Sequence, residues 1–146
     1  MRYCIIGSGG REHAISWRLL SDGSAEEVYV LPGNGGIADE FRVNLKIDDF
    51  EGMAKFCSEK KIDMVVVGPE VPLSAGITDY LMERGIRTFG PSKRAAMLEG
   101  SKLFAKKIMR AYGVPTGGYR EFDSRDGLLR HIDSAEVLPM VIKLDG

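Results

Sequence analysis

Residues 3–13 read YCIIGSGGREH, and this stretch indicates the fold of the chain. A short, largely apolar run meets a glycine cluster, and a helical pattern begins directly after the glycines. Glycines between a strand and a helix let backbone N–H groups and the helix dipole approach an anion, usually a phosphate. The stretch therefore predicts a strand, an anion-binding loop and a helix; a tight turn without a ligand is the alternative.

Apolar runs of strand length recur along the chain, and helical patterns separate them. The runs are continuous, as expected for strands that are buried on both faces of a parallel sheet. The predicted strands are 3–6, 28–31, 64–67 and 86–89, with a short strand or a crossing segment at 41–47. The predicted helices are 11–20, 50–60 and 72–84. This order predicts an α/β fold with a Rossmann-like, doubly wound parallel sheet.

The pattern changes within residues 91–101, where we place a domain boundary. The elements predicted beyond it are helices at 92–100, 101–112 and 124–134, and strands at 118–121 and 138–143. So few elements are too little to enclose a separate core. The sequence therefore predicts a first domain at residues 1–100 and the truncated beginning of a second domain at residues 101–146.

Composition restricts the class of partner. The 146 residues are 44% hydrophobic and 28% charged, with a net charge of −1 from 20 basic and 21 acidic side chains. This balance leaves no basic surface for nucleic acid or an anionic membrane. No apolar run approaches the ~18 residues of a membrane span, and Cys4 and Cys57 form no CxxC motif or disulfide framework. We expect a cytoplasmic protein whose cysteines are reduced and which acts on small molecules.

Candidate ligand-binding residues lie at the predicted carboxyl ends of strands, the edge where open α/β sheets bind ligands. Arg11 could hold a phosphate, or it could form a solvated first turn with Glu12. The glycine-rich residues 32–36 form a second such loop, or a flexible connection. Glu70 could bind ribose hydroxyls or an amine, or stabilise a helix dipole. His13 is more readily explained as a packed or capping residue than as a proton carrier.

The first loop departs from the dinucleotide-binding fingerprint. That fingerprint requires a glycine where Glu12 stands, and an acidic residue at the end of the second strand for the ribose hydroxyls. The second predicted strand instead ends in Leu31-Pro32-Gly33. A dehydrogenase-type NAD module is therefore disfavoured.

Three lysines in the second part of the chain are also candidates. Lys102 and Lys106 are four residues apart, so both ammonium groups share one face of the predicted helix, which alone is most often a solvated face. Lys143 ends a strongly apolar predicted strand, where a lysine needs a reason such as an anionic partner.

Six motifs, in order along the chain, resemble the phosphoribosylamine–glycine ligase family. They are GSGGREH at 7–13, PGN at 32–34, VGPE at 67–70, FGP at 89–91, EGSK at 99–102 and KLDG at 143–146. Each motif alone is weak, but the ordered set is specific and the resemblance spans all 146 residues.

The resemblance implies an ATP-grasp ligase of de novo purine synthesis. In that family, ATP phosphorylates the glycine carboxylate, and the amine of phosphoribosylamine then attacks the glycyl phosphate. The products are glycinamide ribonucleotide, ADP and phosphate. By resemblance, residues 1 to about 100 correspond to the Rossmann-like domain that precedes an ATP-grasp fold, and residues from about 101 onward begin the ATP-grasp domain.

The resemblance also implies roles for individual residues. Lys102 and Lys143 match positions where ATP-grasp lysines meet the phosphates of ATP, and Lys106 is a weaker candidate. The residues expected to face the phosphoribosyl substrate are Gly7, Gly9, Gly10, Arg11, Glu12, Gly33, Asn34 and Glu70.

The chain departs from the family in two ways. Leu144 stands where the family usually has alanine, and the family's chain is several-fold longer, so that its adenine pocket and acidic Mg²⁺ ligands lie beyond Gly146. We therefore expect no catalytic residue and no activity in these 146 residues alone. A stand-alone module that binds sugar phosphates or nucleotides is the alternative. A truncated second domain would expose apolar surface, which predicts self-association or disorder near the C-terminus.

Overall fold

A computed structural model describes residues 1–134 and 139–145 of the chain. The chain divides into two compact units, Met1–Ala96 and Met97–Gly146. We refer to them as unit 1 and unit 2, and each is described by itself. No helix in the described part of the chain is long and apolar enough to cross a membrane.

Unit 1 is built on a parallel sheet, as predicted. Its strands are β1 (Arg2–Gly7), β2 (Glu27–Pro32), β3 (Met64–Val67) and β4 (Thr88–Phe89), in the spatial order β2-β1-β3-β4. The central strand β1 is parallel to both neighbours, with Tyr3 opposite Val28 on one side and Met64 on the other. The structure therefore confirms the α/β fold with a Rossmann-like parallel sheet.

The helices follow the predicted order. They are α1 (Gly10–Ser21), α2 (Phe50–Glu59), α3 (Glu70–Ala75), α4 (Ile77–Met82), α5 (Lys93–Gly100), α6 (Lys102–Ala111) and α7 (Arg125–Asp133). Side-chain caps fix several of these helix starts. Asp49 accepts a hydrogen bond from the Gly52 N–H, Ser101 from the Phe104 N–H and Ser124 from the Gly127 N–H.

Apolar side chains cover both faces of the sheet. On one face, Cys4 and Ile6 of β1 pack with Met53 of α2 and with Ile77 and Leu81 of α4. On the other face, the buried residues of β1 and β2 pack against α1; they are Ile5, Val28 and Val30, with Ile15 and Leu19 on the helix. Burial on both faces explains why the strands are continuous apolar runs.

Two predictions for unit 1 need correction, and the structure decides between the two alternatives of a third. The helix predicted at 72–84 is two helices, because Gly76 adopts a φ of 101° and interrupts it. The strand predicted at 86–89 is shortened to β4, which pairs with β3 through two residues only. Residues 41–47 form a crossing segment with a single bridge between Arg42 and Val30.

The strands predicted for unit 2 are wrong where the structure describes them. Residues 118–121 and 139–143 have no strand pairing, and Leu138 lies outside the described residues. A strand is stable only beside a partner strand, and hydrophobic sequence alone does not supply one. Val141 and Leu144 are 81% and 87% exposed, so Lys143 does not end a buried strand as expected and is itself exposed.

Candidate functional site

The candidate site lies at the carboxyl edge of the sheet in unit 1. Parallel strands end at the same edge, so the loops that follow β1, β2 and β3 meet there. These are loop 1 (residues 7–10), loop 2 (residues 33–36) and loop 3 (residues 68–70). They contain all the residues predicted to bind substrate except Arg11 and Glu12, which lie in the first turn of α1.

Loops 1 and 2 are joined by hydrogen bonds. The Asn34 side-chain amide donates to the carbonyl oxygen of Ser8 at 3.0 Å, and the Gly33 N–H donates to the carbonyl oxygen of Gly7 at 3.2 Å. The Asn34 Oδ1 atom accepts from the Gly36 N–H at 2.9 Å, which fixes the side chain. Asn34 therefore shapes the site by holding the two loops together.

Glu12 and Arg11 join loop 1 to loop 3. The Glu12 carboxylate accepts from the Gly9 N–H at 2.8 Å and from Arg11 Nε at 3.1 Å. Arg11 Nη2 donates to the carbonyl oxygen of Gly68 at 2.7 Å. Glu12 is buried, whereas the Arg11 side chain is 63% exposed. The structure thus gives the two adjacent residues different surroundings.

The first turn of α1 keeps hydrogen-bond donors that can face an anion. Gly9 is the N-cap and has no side chain to accept from the turn, and its own N–H is bonded to Glu12. Within the described residues, the N–H groups of Gly10 and Arg11 have no hydrogen-bond partner. Together with the positive end of the helix dipole, these donors suit an anion such as a phosphate.

Two further residues lie near this edge. Glu70 is exposed and begins α3, so its carboxylate is accessible beside loop 3. His13 lies against Gly36, where even a Cβ atom would collide with the imidazole ring. This contact gives His13 a packing role, which the sequence also favoured.

The three predicted lysines belong to unit 2. Lys102 and Lys143 are exposed. Lys106 Nζ donates to Thr116 Oγ1 at 2.7 Å and to the Gly117 carbonyl oxygen at 2.9 Å, so this ammonium group is engaged with the loop after α6. The shared helix face was the reason to group Lys102 with Lys106, but their surroundings differ.

Sequence reasoning missed a contact at the start of α6. The Asp145 carboxylate accepts from the Ser101 hydroxyl at 2.9 Å and from the Leu103 N–H at 2.9 Å. The Leu103 N–H, with the Ser101 hydroxyl, lowers the pKa of the Asp145 carboxyl below its usual value. This contact brings the segment that carries Lys143 to the helix end that carries Lys102. A separation of 44 residues leaves no local signal for it.

A separate cavity of unit 1 lies elsewhere. It has a volume of about 540 Å³ and lies between α2 and the segment that follows α4, with Lys55, Tyr80 and Arg84 in its wall. None of the residues predicted from the sequence lines it.

Comparisons with known proteins agree with the motifs. Residues 1–99 match the family model described as "Phosphoribosylglycinamide synthetase, N domain". The chain is 48% identical to the phosphoribosylamine–glycine ligase of Halalkalibacterium halodurans and 46% identical to that of Agrobacterium fabrum. Each alignment covers 100% of this chain and 34% of the relative. The chain therefore spans about a third of the length of these curated relatives.

Solved structures share the fold, and the sequence identifies the family. N5-carboxyaminoimidazole ribonucleotide synthetase from Thermotoga maritima superimposes with a TM-score of 0.61 at 18% identity, over 89% of this chain and 36% of that one. The biotin carboxylase domain of a single-chain bacterial carboxylase gives the same TM-score and identity over 91% of this chain and 34% of its own. At this identity the likeness shows the fold alone. By its match over residues 1–99, the chain belongs to the phosphoribosylglycinamide synthetase family and contains its N domain.

Proposed function

We propose that these 146 residues are the N-terminal part of a phosphoribosylamine–glycine ligase. Such an enzyme joins glycine to 5-phosphoribosylamine in purine synthesis, with ATP converted to ADP and phosphate through a glycyl phosphate. The observation that carries the proposal is the 48% identity along the whole chain to a relative of that name. The cytoplasm is the compartment that fits this metabolism.

The domain assignment follows the same comparison. We assign residues 1–100 as the substrate domain and residues 101–146 as the beginning of an ATP-grasp domain. The match of residues 1–99 to the N domain supports the first assignment. The second rests on the similarity of the whole chain to the ligases.

Unit 1 would bind the phosphate of the phosphoribosyl substrate. The N–H groups of Gly10 and Arg11 and the exposed Arg11 guanidinium can converge on one anion at the N-terminus of α1. The Gly7 carbonyl oxygen accepts from the Gly33 N–H, so Gly33 and Asn34 hold loop 2 beside loop 1. Glu70 is placed where an exposed carboxylate can accept from ribose hydroxyls or from an amine.

Unit 2 would contribute cations to the ATP site. Lys102 and Lys143 fit this role because both are exposed and the Asp145 contact brings their segments together. Lys106 fits less well because its ammonium group is already bonded to Thr116 and Gly117. Mg²⁺ would neutralise the phosphates of ATP during phosphoryl transfer. We place its carboxylate ligands beyond Gly146.

A ligand titration of the chain tests the substrate role. Ribose 5-phosphate at a hundred times its Kd should stabilise the chain by about 2.7 kcal/mol, with Mg-ATP and NAD as comparators. Arg11→Met should weaken this binding by about ten-fold, because it removes a charge-assisted hydrogen bond to phosphate. Arg18→Met is the matched control, since Arg18 lies in the last turn of the same helix. A Kd unaffected by Arg11→Met would contradict the proposed site.

An activity assay separates the two candidate functions. We expect the chain alone to release no phosphate from ATP when glycine and an amine donor are present, because it would supply only part of the ligase. The alternative is a stand-alone module that binds sugar phosphates, which the hydrogen-bonded loops of unit 1 favour. Ligase activity on joining this chain to the remaining two-thirds of a close relative would decide for the ligase; binding without any such activity would decide for the module.

Exposed apolar side chains in unit 2 support self-association as a further proposal. Val141, Ile142 and Leu144 are 81%, 57% and 87% exposed. Exposed apolar clusters favour association because burying them removes apolar surface from water. Sedimentation velocity should show concentration-dependent association that Leu144→Glu reduces. A monomer at all concentrations would contradict this proposal.

A further inference from the structure

The Glu12 side chain fills a space that three glycines leave open. A Cβ atom at Gly7 would lie 2.5 Å from Glu12 Cγ, and one at Gly9 would lie 2.8 Å from Glu12 Oε2. A Cβ atom at Gly68 would lie 2.6 Å from Glu12 Cδ. Real Cβ atoms do not approach other atoms this closely, so glycine is required at these positions as long as Glu12 occupies the space.

Gly68 isolates this steric effect. Gly7 has a φ of +138°, so a side chain there would also strain the backbone. Gly68 is not among the glycines with positive φ. Its backbone would accept alanine, and the three heavy atoms nearest to an added Cβ atom all belong to the Glu12 side chain.

Each oxygen of the Glu12 carboxylate already accepts a hydrogen bond. One oxygen accepts from the Gly9 N–H and the other from Arg11 Nε, and only 4% of the residue is exposed. A buried carboxylate is costly unless it is paired in this way. Because the residue is buried, Glu12 offers a substrate almost no accessible surface. Arg11 is different, because its exposed guanidinium retains donors beyond those bonded to Glu12 and Gly68.

We propose that Glu12 is a positioning residue that acts through Arg11 and Gly9, and that it does not itself touch substrate. This inference rests on the proposed phosphate site. Glu12 holds the Arg11 side chain between loops 1 and 3, and it keeps the Gly9 N–H directed toward its own carboxylate. The remaining donors of the first turn and of the guanidinium then point toward one anion before any ligand arrives. Such preorganisation reduces the cost of ordering the site on binding.

The first test is a double-mutant cycle between Glu12 and Gly68. Ribose 5-phosphate affinity and Tm are measured for the parent, Gly68→Ala, Glu12→Ala and the double variant. Gly68→Ala should weaken ribose 5-phosphate binding by about ten-fold and lower Tm by about 4 °C or more, because its methyl group displaces the Glu12 carboxylate. In the Glu12→Ala background the same change should have little further effect, because the space is then empty.

Gly10→Ala is the stability control. Gly10 lies at the same edge of the sheet, in loop 1, and a Cβ atom there would meet nothing within 4 Å. Its Tm should stay at or above that of the parent. If Gly68→Ala has the same effect with and without Glu12, the inference is wrong.

The second test asks whether Glu12 acts through Arg11. Glu12→Gln keeps the size of the side chain but replaces one acceptor oxygen by an NH2 group, so either the Gly9 N–H or the Arg11 Nε–H loses its acceptor. It should weaken ribose 5-phosphate binding by about ten-fold in the parent, and by much less in the Arg11→Met background. Unchanged affinity in Glu12→Gln, or equal losses in both backgrounds, would overturn the positioning role.

A ligand-free measurement separates this inference from the proposed function. If the parent does not bind ribose 5-phosphate, the proposed site fails, and the inference is then decided by amide exchange at Gly9 in the free chain. Glu12→Ala should speed exchange of the Gly9 N–H by about ten-fold, because that N–H loses its acceptor. An unchanged exchange rate would contradict the inference.

Discussion

Unit 1 encloses an apolar core, whereas unit 2 does not. In unit 1 the central strand β1 is buried on both faces, and helices cover each side. Among residues 97–134 and 139–145, none is buried. Both units have well-formed helices with side-chain caps, so the difference does not come from local structure.

The comparison shows how much stability a sheet covered by helices adds to that of local hydrogen bonds. Unit 2 is held by contacts such as Lys106 with Thr116 and Asp145 with Ser101, which are exposed. Such contacts each contribute little because water competes for the same groups. In unit 1, similar hydrogen bonds at the sheet edge join loops whose flanking strands are packed in a buried core. Rigid loops and a preformed site are therefore expected in unit 1.

The largest expected effect comes from truncating a core leucine. Leu81 is fully buried in α4, and Leu81→Ala should reduce the free energy of unfolding of unit 1 by about 2–5 kcal/mol through lost burial and a cavity. Leu144→Ala is the matched control, because Leu144 is 87% exposed and its truncation should change stability by less than about 0.5 kcal/mol. Urea unfolding measures both. Equal losses of unfolding free energy in Leu81→Ala and Leu144→Ala would contradict the difference in packing between the two units.

Removing a helix cap should have an intermediate effect, of a different kind in each unit. Asp49→Ala removes the acceptor for the Gly52 N–H and should reduce the stability of unit 1 by about 1 kcal/mol. Ser101→Ala removes the acceptor for the Phe104 N–H and should lower the helix content of residues 102–111 without moving the unfolding midpoint of unit 1. Circular dichroism with urea unfolding distinguishes the two. A common shift in both variants would mean that the units unfold together.

The smallest expected effect is a pH dependence in unit 2. The Leu103 N–H and the Ser101 hydroxyl lower the pKa of Asp145 in the folded chain. The carboxylate contact is therefore complete above the pKa of an unfolded aspartate, about 3.9, and is lost as the pH falls through the lower folded pKa. The Leu103 amide resonance should follow this titration. In Asp145→Asn it should not, and a pH-independent resonance in the parent would refute the contact.

The fold of unit 1 could be predicted from the sequence because the patterns that indicate its strands and turns are local. Each buried strand is a continuous apolar run, and each ends at glycine or proline. The break between α3 and α4 was missed because Gly76 lies inside an apolar repeat that continues through it. The strand predicted at 138–143 failed because residues 139–143 pair with no strand in the described part of the chain, and an apolar pattern alone does not reveal whether a partner is present.

Contacts between distant residues account for most of what the sequence left open in the site. The motifs place Gly9, Arg11 and Asn34 at one edge, but the bonds from Arg11 to Gly68 and from Asn34 to Ser8 require the folded sheet. The same holds for Cys4 and Cys57, which are 53 positions apart in the sequence. Their thiols meet in the core, where hydrogen bonding to Cys57 and burial raise the pKa of Cys4.

Amide hydrogen exchange with and without ribose 5-phosphate tests the central claim most directly. That claim is that unit 1 carries a preformed anion site at the carboxyl edge of its sheet. We predict slower exchange at the N–H groups of Gly10 and Arg11 when ribose 5-phosphate is added, with residues 102–111 unchanged. Protection confined to unit 2, or no protection in loop 1 at saturating ligand, would contradict the account.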